Sequence, residues 1–460
     1  MLKNVLAAVV VIILIVFGFV WFSGKHAEIK LARPVAAIGA STTILIQANG
    51  PNGVKAFSAS LEQDGQTKTT FEDKSRSRQK GVIYSFTAGK KEAPFLKEGP
   101  ATLIAKAQSN DFRGATTTFV QDIQVVLKAP SIVADGRQHY INQGGSELVL
   151  LDLAGNWAEA GVRVANYSAG TFAIPGEPDN SNHRFSLFPF PWNVSSDAVP
   201  QAFAKNGAGT EVSTTFWVRV FPKRFRSSDI QLNDRELQKV DGELDPDGSG
   251  SLVERFVKIN RETRRANAEQ IYELRNNTEH RILWSGPFIP VKGARESYFA
   301  DRRSYYYQGK KVDEQVHLGY DLAQTANMPV KAANSGKVIY ADRLGIYGNC
   351  IIIDHGYSLQ SLYGHLSKIG VQVGQMVQKE QQIGISGATG MAFGDHVHFS
   401  MLVDGIQIDP KEWWDEHWIH DRILSKIGVG AAGNAFSAGI GDPPMREEPV
   451  VHHRVRHHRR

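Results

Sequence analysis

His396-Val397-His398-Phe399-Ser400-Met401-Leu402-Val403 is the stretch that decides the C-terminal part of this chain. Read as a strand, its side chains alternate between two faces. Val397, Phe399, Met401 and Val403 then share one face, and His396 and His398 the other. Working outward, Val316-His317-Leu318-Gly319-Tyr320-Asp321-Leu322 alternates in the same way and sets His317 and Asp321 opposite its apolar residues. In Ser361-Leu362-Tyr363-Gly364-His365-Leu366 the same period groups Tyr363 with His365, away from Leu362 and Leu366. Three strands thus each offer imidazole or carboxylate on the face turned from their apolar side chains. A core has no use for that pattern.

A zinc ion does. Two histidines and an aspartate supply three neutral or anionic N/O ligands and leave a fourth position open, the usual catalytic arrangement. The metal acts as a Lewis acid on a carbonyl and lowers the pKa of a water. Two further histidines beside it can move a proton and hold an oxyanion. Each piece alone is weak, because a single buried histidine is more often a satisfied core residue and His-x-His arises by chance. The combination, in order, is what carries weight.

These residues, with Asp354-His355-Gly356, Leu362-Tyr363-Gly364-His365-Leu366, Gly387-Ala388-Thr389-Gly390 and Gly394-Asp395-His396-Val397-His398, form a stretch that resembles the catalytic domain of lysostaphin-type zinc endopeptidases. The resemblance runs from about His317 to Trp414. It implies a compact antiparallel β-sheet domain with a groove over one face, and cleavage of the peptide part of peptidoglycan. Carried over residue by residue, it makes His317, Asp321 and His398 the zinc ligands, and His365 and His396 the pair that orients water and stabilises the transition state. His355 lies in a family motif without being a ligand there, so its role is structural. Glu380 stands where the family usually has glycine, in a surface turn away from the ligands. Trp284-Ser285-Gly286-Pro287-Phe288 and Trp413-Trp414, at the domain's edges, read as packing.

The rest of the chain frames this domain. At 460 residues it exceeds what one core usually organises. From Val5 to Phe22 run 18 residues without a charge, about 27 Å as a helix and close to a bilayer's hydrocarbon thickness. The run ends in bulky Phe19-Val20-Trp21-Phe22 with no small-residue cleavage site, which predicts an uncleaved single-pass anchor in the cytoplasmic membrane with the catalytic part outside. Residues 28–222 read as short strands between Gly/Asn turns. Ala105-Lys106-Ala107 and Thr117-Thr118-Phe119 recur as Ala202-Phe203-Ala204 and Thr214-Thr215-Phe216, both at an offset of 97 residues. That predicts two immunoglobulin-like β-sandwiches, 28–128 and 129–222, as spacers or wall binders. A helical linker over 223–284 follows, with one amphipathic helix at 252–275. If that helix blocks the groove, deleting residues 240–280 should raise activity. The peptidase domain fills 285–425, and a Gly/Ala-rich then His/Arg-rich tail 426–460. The chain is therefore mainly β: an N-terminal transmembrane helix over 1–26, two sandwiches, a helical linker and a C-terminal antiparallel β-sheet metallopeptidase domain.

Other classes fit less of the sequence. The net charge of +5 is mild, and no nucleic-acid partner is expected. The single cysteine, Cys350, excludes an internal disulfide and reads as a small buried hydrophobe. Asp245-Pro246-Asp247-Gly248-Ser249-Gly250 resembles the start of a calcium loop, but Phe256 occupies the position of the closing glutamate, so an acidic turn capping the next helix is the better reading. Val371–Val377 resembles a biotinyl or lipoyl carrier, yet lacks the lysine that would be modified. A structural adhesin accounts only for 28–222. The serious rival is a wall-binding regulator that activates other hydrolases after losing its ligands, and here all five His/Asp positions are intact.

Overall fold

Alternating burial runs through strands such as Thr42–Asn49 and Gly99–Ser109, the mark of sheets with one face in a core. In this computed structural model the chain divides between Arg224 and Phe225 into two compact units. The structure describes residues 26–428 apart from 112, 113 and 324, together with residues 11, 12, 15 and 18. The expected anchor over 5–22 lies almost wholly outside the described residues, and so does the tail beyond 428. Among the described residues no helix is long and apolar enough to cross a membrane.

Among the described residues of the first unit no sheet crosses residue 128. Before it, a three-stranded sheet (Glu28–Leu31, Thr42–Asn49, Gly81–Ala88) shares a core with a five-stranded one. Ile44 and Ile46 of the first sheet are buried with Phe57, Leu61 and Leu103 of the second. The Phe57 and Tyr84 rings stack across them at 4.1 Å. After it, strands Ser146–Ala154 and His183–Pro189 face Glu159–Val164 and Gln201–Lys205 through Val149, Leu151, Phe188, Val162 and Ala202. The recurring Ala-x-Ala segments lie in the strands Gly99–Ser109 and Gln201–Lys205, each hydrogen-bonded antiparallel to the strand that follows it.

The second unit is built on an antiparallel sheet ordered Ala294–Ser297, Tyr320–Ala323, His396–Val403, Leu359–Leu366, Asn349–Asp354, Gly336–Arg343, Met376–Val377. Ile406–Ile408 also pairs with His396–Val403. Both faces of the central strands are covered, so Leu359–Leu366 is buried along its whole length. On one face Tyr363 packs against Phe399. The other face, which carries His398, also carries Leu362 and Leu402, and the helical segment covers those two.

That segment differs from the linker expected over 223–284. Strand Ser227–Leu232 pairs in parallel with Asp301–Tyr307. Phe256, Ile259 and Ile271 from the helices share one core with Ile352, Leu362 and Leu402 of the sheet. The helix expected over 252–275 is a continuous run, Leu252–Lys258 and Arg264–Leu274 joined by a π turn at Ile259–Thr263. With its apolar face in the core it is a wall of the domain, and its deletion removes core rather than a plug. Arg255 ties this helix to the acidic loop and the helix before it: it pairs with Asp241 and donates to the Gly248 carbonyl at 2.8 Å. Ser251 and Glu254 form the capping box at the helix start. Cys350 is fully buried, as read from its apolar run.

Candidate active site

Register brings the polar residues together. Asp321 lies opposite His398 and Ala323 opposite His396, while Gly364 lies opposite His398 on its other side. His317 closes the strand Lys310–His317, and the chain returns through Leu318-Gly319. A Cβ on Gly319 would sit 2.5 Å from His398 Nε2 and 2.7 Å from the Phe399 carbonyl oxygen, so only glycine passes there.

His317, Asp321 and His398 are buried, and their ligating atoms lie within 4.8 Å of one another. Their hydrogen bonds fix the tautomers. His317 Nδ1 lies 3.2 Å from the Tyr298 carbonyl oxygen, which can only accept, so Nδ1 carries the proton and Nε2 a lone pair. Ser400 Oγ donates to the Leu318 carbonyl at 2.7 Å and therefore accepts from His398 Nε2 at 2.9 Å, which leaves the His398 lone pair on Nδ1. Asp321 Oδ2 accepts from Arg303 Nη2 at 2.6 Å, and Oδ1 faces inward. His317 Nε2 is 2.9 Å from Asp321 Oδ1 and from His398 Nδ1, and His398 Nδ1 is 3.2 Å from Asp321 Oδ1. Three electron pairs converge with no proton between them. A cation relieves that repulsion, and this donor set fits zinc.

Burial holds the His317 and His398 imidazoles below their ordinary range, His398 at about 4. Burial pushes the Asp321 carboxyl up, but its contacts with His317, His396 and His398 prevail and bring it well below the usual carboxylate range. The groups present their metal-binding forms near neutral pH.

The structure places His365 and His396 beside this cluster, with ring centroids 4.7 Å apart and His365 5.9 Å from His398. His365 Nδ1 donates to the Thr389 carbonyl at 2.8 Å, leaving Nε2 as a base. Burial, with the His396 and His398 imidazoles next to it, keeps His365 neutral. His396 Nδ1 donates to the Gly394 carbonyl at 2.9 Å, and its Nε2 is 3.5 Å from Asp321 Oδ1. Burial pulls His396 down, but its contacts with Asp321 outweigh that and raise it.

Tyr363 does not share a face with His365: its ring lies on the Phe399 side and its hydroxyl accepts from the Ala333 N–H. His365 has φ of +63°, which breaks the strand period and swings its imidazole to the side of His398.

His355 Nδ1 donates to the Ser335 carbonyl and its Nε2 lies at hydrogen-bond distance from Ser361 Oγ, both at 2.8 Å, and the ring packs on Phe288, away from the cluster. Trp284, Phe288 and Trp413 pack on one another. Glu380 is exposed with φ of +66°, the conformation that favours glycine at this turn. Sequence reasoning missed Arg303 and Ser400. Ser400 had a signal, two residues beyond His398 on the same strand face. Arg303 had none, because it arrives from a strand that pairs with the His317 strand.

Residues 315–410 match the family model described as peptidase family M23. Peptidoglycan DD-endopeptidase ShyB of Vibrio cholerae is 36% identical over 140 residues, which are 30% of this chain and 32% of that protein. The DD-carboxypeptidase/endopeptidase Mpg of Neisseria meningitidis is 34% identical over 95 residues, 21% of this chain and 22% of that protein. Among solved structures, the catalytic domain of lysostaphin from Staphylococcus simulans is 28% identical with a TM-score of 0.20, covering 30% of this chain and 92% of that one. The chain spans between about a fifth and a third of the length of these curated relatives.

Proposed function

We infer that this chain, which carries a peptidase family M23 domain over residues 315–410, is a zinc-dependent endopeptidase hydrolysing peptide bonds in the stem peptides or cross-links of peptidoglycan. The observation that carries this reading is the convergence of three unprotonated donors, His317 Nε2, Asp321 Oδ1 and His398 Nδ1, each fixed from behind by a hydrogen bond. The names of the two relatives support the substrate class.

Zinc held by those residues supplies Lewis acidity toward a carbonyl oxygen and a water molecule. The remaining work falls to the chain's own groups. His365 Nε2, neutral and unprotonated, takes a proton from the attacking water and returns it to the leaving amine. His396, raised by Asp321, donates a hydrogen bond to the oxyanion that develops on the scissile carbonyl. The complete donor set favours an enzyme over a regulator of other hydrolases. The uncharged run 5–22 supports an anchor in the cytoplasmic membrane with the second unit outside it. The β modules then act as immunoglobulin-like spacers.

The test incubates the detergent-purified full chain with peptidoglycan, with chelator or added zinc, beside a His398→Ala variant. Release of stem-peptide fragments that needs both zinc and His398 is expected. No release by folded, zinc-loaded protein would sink the reading.

A further inference from the structure

The cleft over the cluster is lined by more than the family domain. Ile230 and Arg264 reach it from the segment before residue 315, together with Tyr347, Met391 and the four histidines 317, 365, 396 and 398. Two arginines line it. Arg303 is engaged with Asp321 and Asp301. Arg264 is not: among the described residues no carboxylate lies within ion-pair distance of its guanidinium.

Arg264 is nevertheless held. It follows the π turn Ile259–Thr263, a break in helical register that is frequent at functional sites. Its Nε donates to the Asn260 carbonyl at 3.2 Å and its Nη2 to Asn260 Oδ1 at 2.8 Å. Asn260 is fully buried and is itself fixed by a 2.8 Å bond to Asp313 Oδ2. Nη2 also reaches Met391 Sδ at 3.7 Å, and Nη1 makes no hydrogen bond among the described residues. Tyr347 lines the same cleft, and its ring packs 5.2 Å from His398. A pre-oriented, half-buried cation without an anion, beside the reacting centre, lacks one partner.

We propose that Arg264 is a specificity-determining residue that receives a free carboxylate of the peptide substrate next to the scissile bond. This rests on the peptidase reading above. The chain then prefers peptides with a carboxylate at that position over the same peptides amidated, and the preference comes from the helical segment rather than from residues 315–410.

The experiment measures kcat/KM of the full-length, zinc-loaded protein on a cross-linked stem-peptide dimer and on its carboxamide counterpart, for wild type, Arg264→Gln, Arg264→Lys and the exposed neighbour Arg265→Gln. Binding of the same two peptides to each protein with an added His365→Ala change is measured alongside. The carboxylate-to-amide ratio should be at least about tenfold in wild type and in Arg265→Gln, near one in Arg264→Gln, and intermediate in Arg264→Lys. A wild-type ratio near one, or a ratio untouched by Arg264→Gln, overturns the proposal. If wild type cleaves neither peptide but binds the carboxylate form in an Arg264-dependent way, the peptidase reading fails, and of this assignment only the carboxylate contact of Arg264 stands. If binding does not discriminate either, both fall.

Discussion

His365 sits in left-handed backbone that breaks a β-strand, a conformation costing of order 1 kcal/mol or more for a residue other than glycine. The gain is positional: a side chain due to point at Phe399 joins His396 and His398 instead. Ser400 acts at the same scale. Its hydroxyl bridges the Leu318 carbonyl and His398 Nε2, so it sets which nitrogen of His398 is free. Ser400→Ala should weaken zinc affinity about ten- to a hundredfold, measured by competition with a chromogenic chelator. An unchanged affinity would show that the tautomer is set elsewhere.

At the scale of elements, the helical run 252–274 is the part whose role changed most between sequence and structure. Its amphipathic spacing was readable, but nothing in it says which sheet receives the apolar face. Phe256 is fully buried and packs edge-on against Tyr305, 5.5 Å between ring centres. Phe256→Ala should destabilise the second unit by about 3–5 kcal/mol in denaturant unfolding. A loss within about 0.5 kcal/mol would mean that the helix is peripheral. The hairpin turn between His396–Val403 and Ile406–Ile408 carries a pH-dependent load. Burial pushes the Asp404 carboxyl up to about 6. Its folded value is thus above its unfolded one, so the native state binds the extra proton. Stability from this group is complete below about pH 4 and is lost as pH rises through about 6. Asp404→Asn fits the turn's φ of +49° and should flatten that fall, adding about 2 kcal/mol above pH 6. Thermal melts from pH 4 to 8 read it, and parallel curves for the two proteins would contradict it.

For the whole molecule, the described residues of the two units have separate apolar cores, those of the β modules and that of the helices and the sheet bearing His398. Residues 225–428 should therefore fold alone and cleave a soluble cross-linked peptide with kcat/KM within about twofold of the full chain. Failure to fold, seen by circular dichroism, would show that the first unit completes the second. The sequence by itself determined which polar side chains gather: His317, Asp321, His396 and His398 are legible because strand period and residue type are local properties. It also determined the β character of 28–222, since turn residues and alternation are local too. Only the tertiary structure decided what covers the sheet, where Arg303 and Arg264 arrive, and how His365 turns inward. Those depend on contacts between residues far apart in the chain, such as Arg264 with Met391 and Arg303 with Asp321. Such contacts form because burying apolar faces leaves few arrangements, and no local period records which one results.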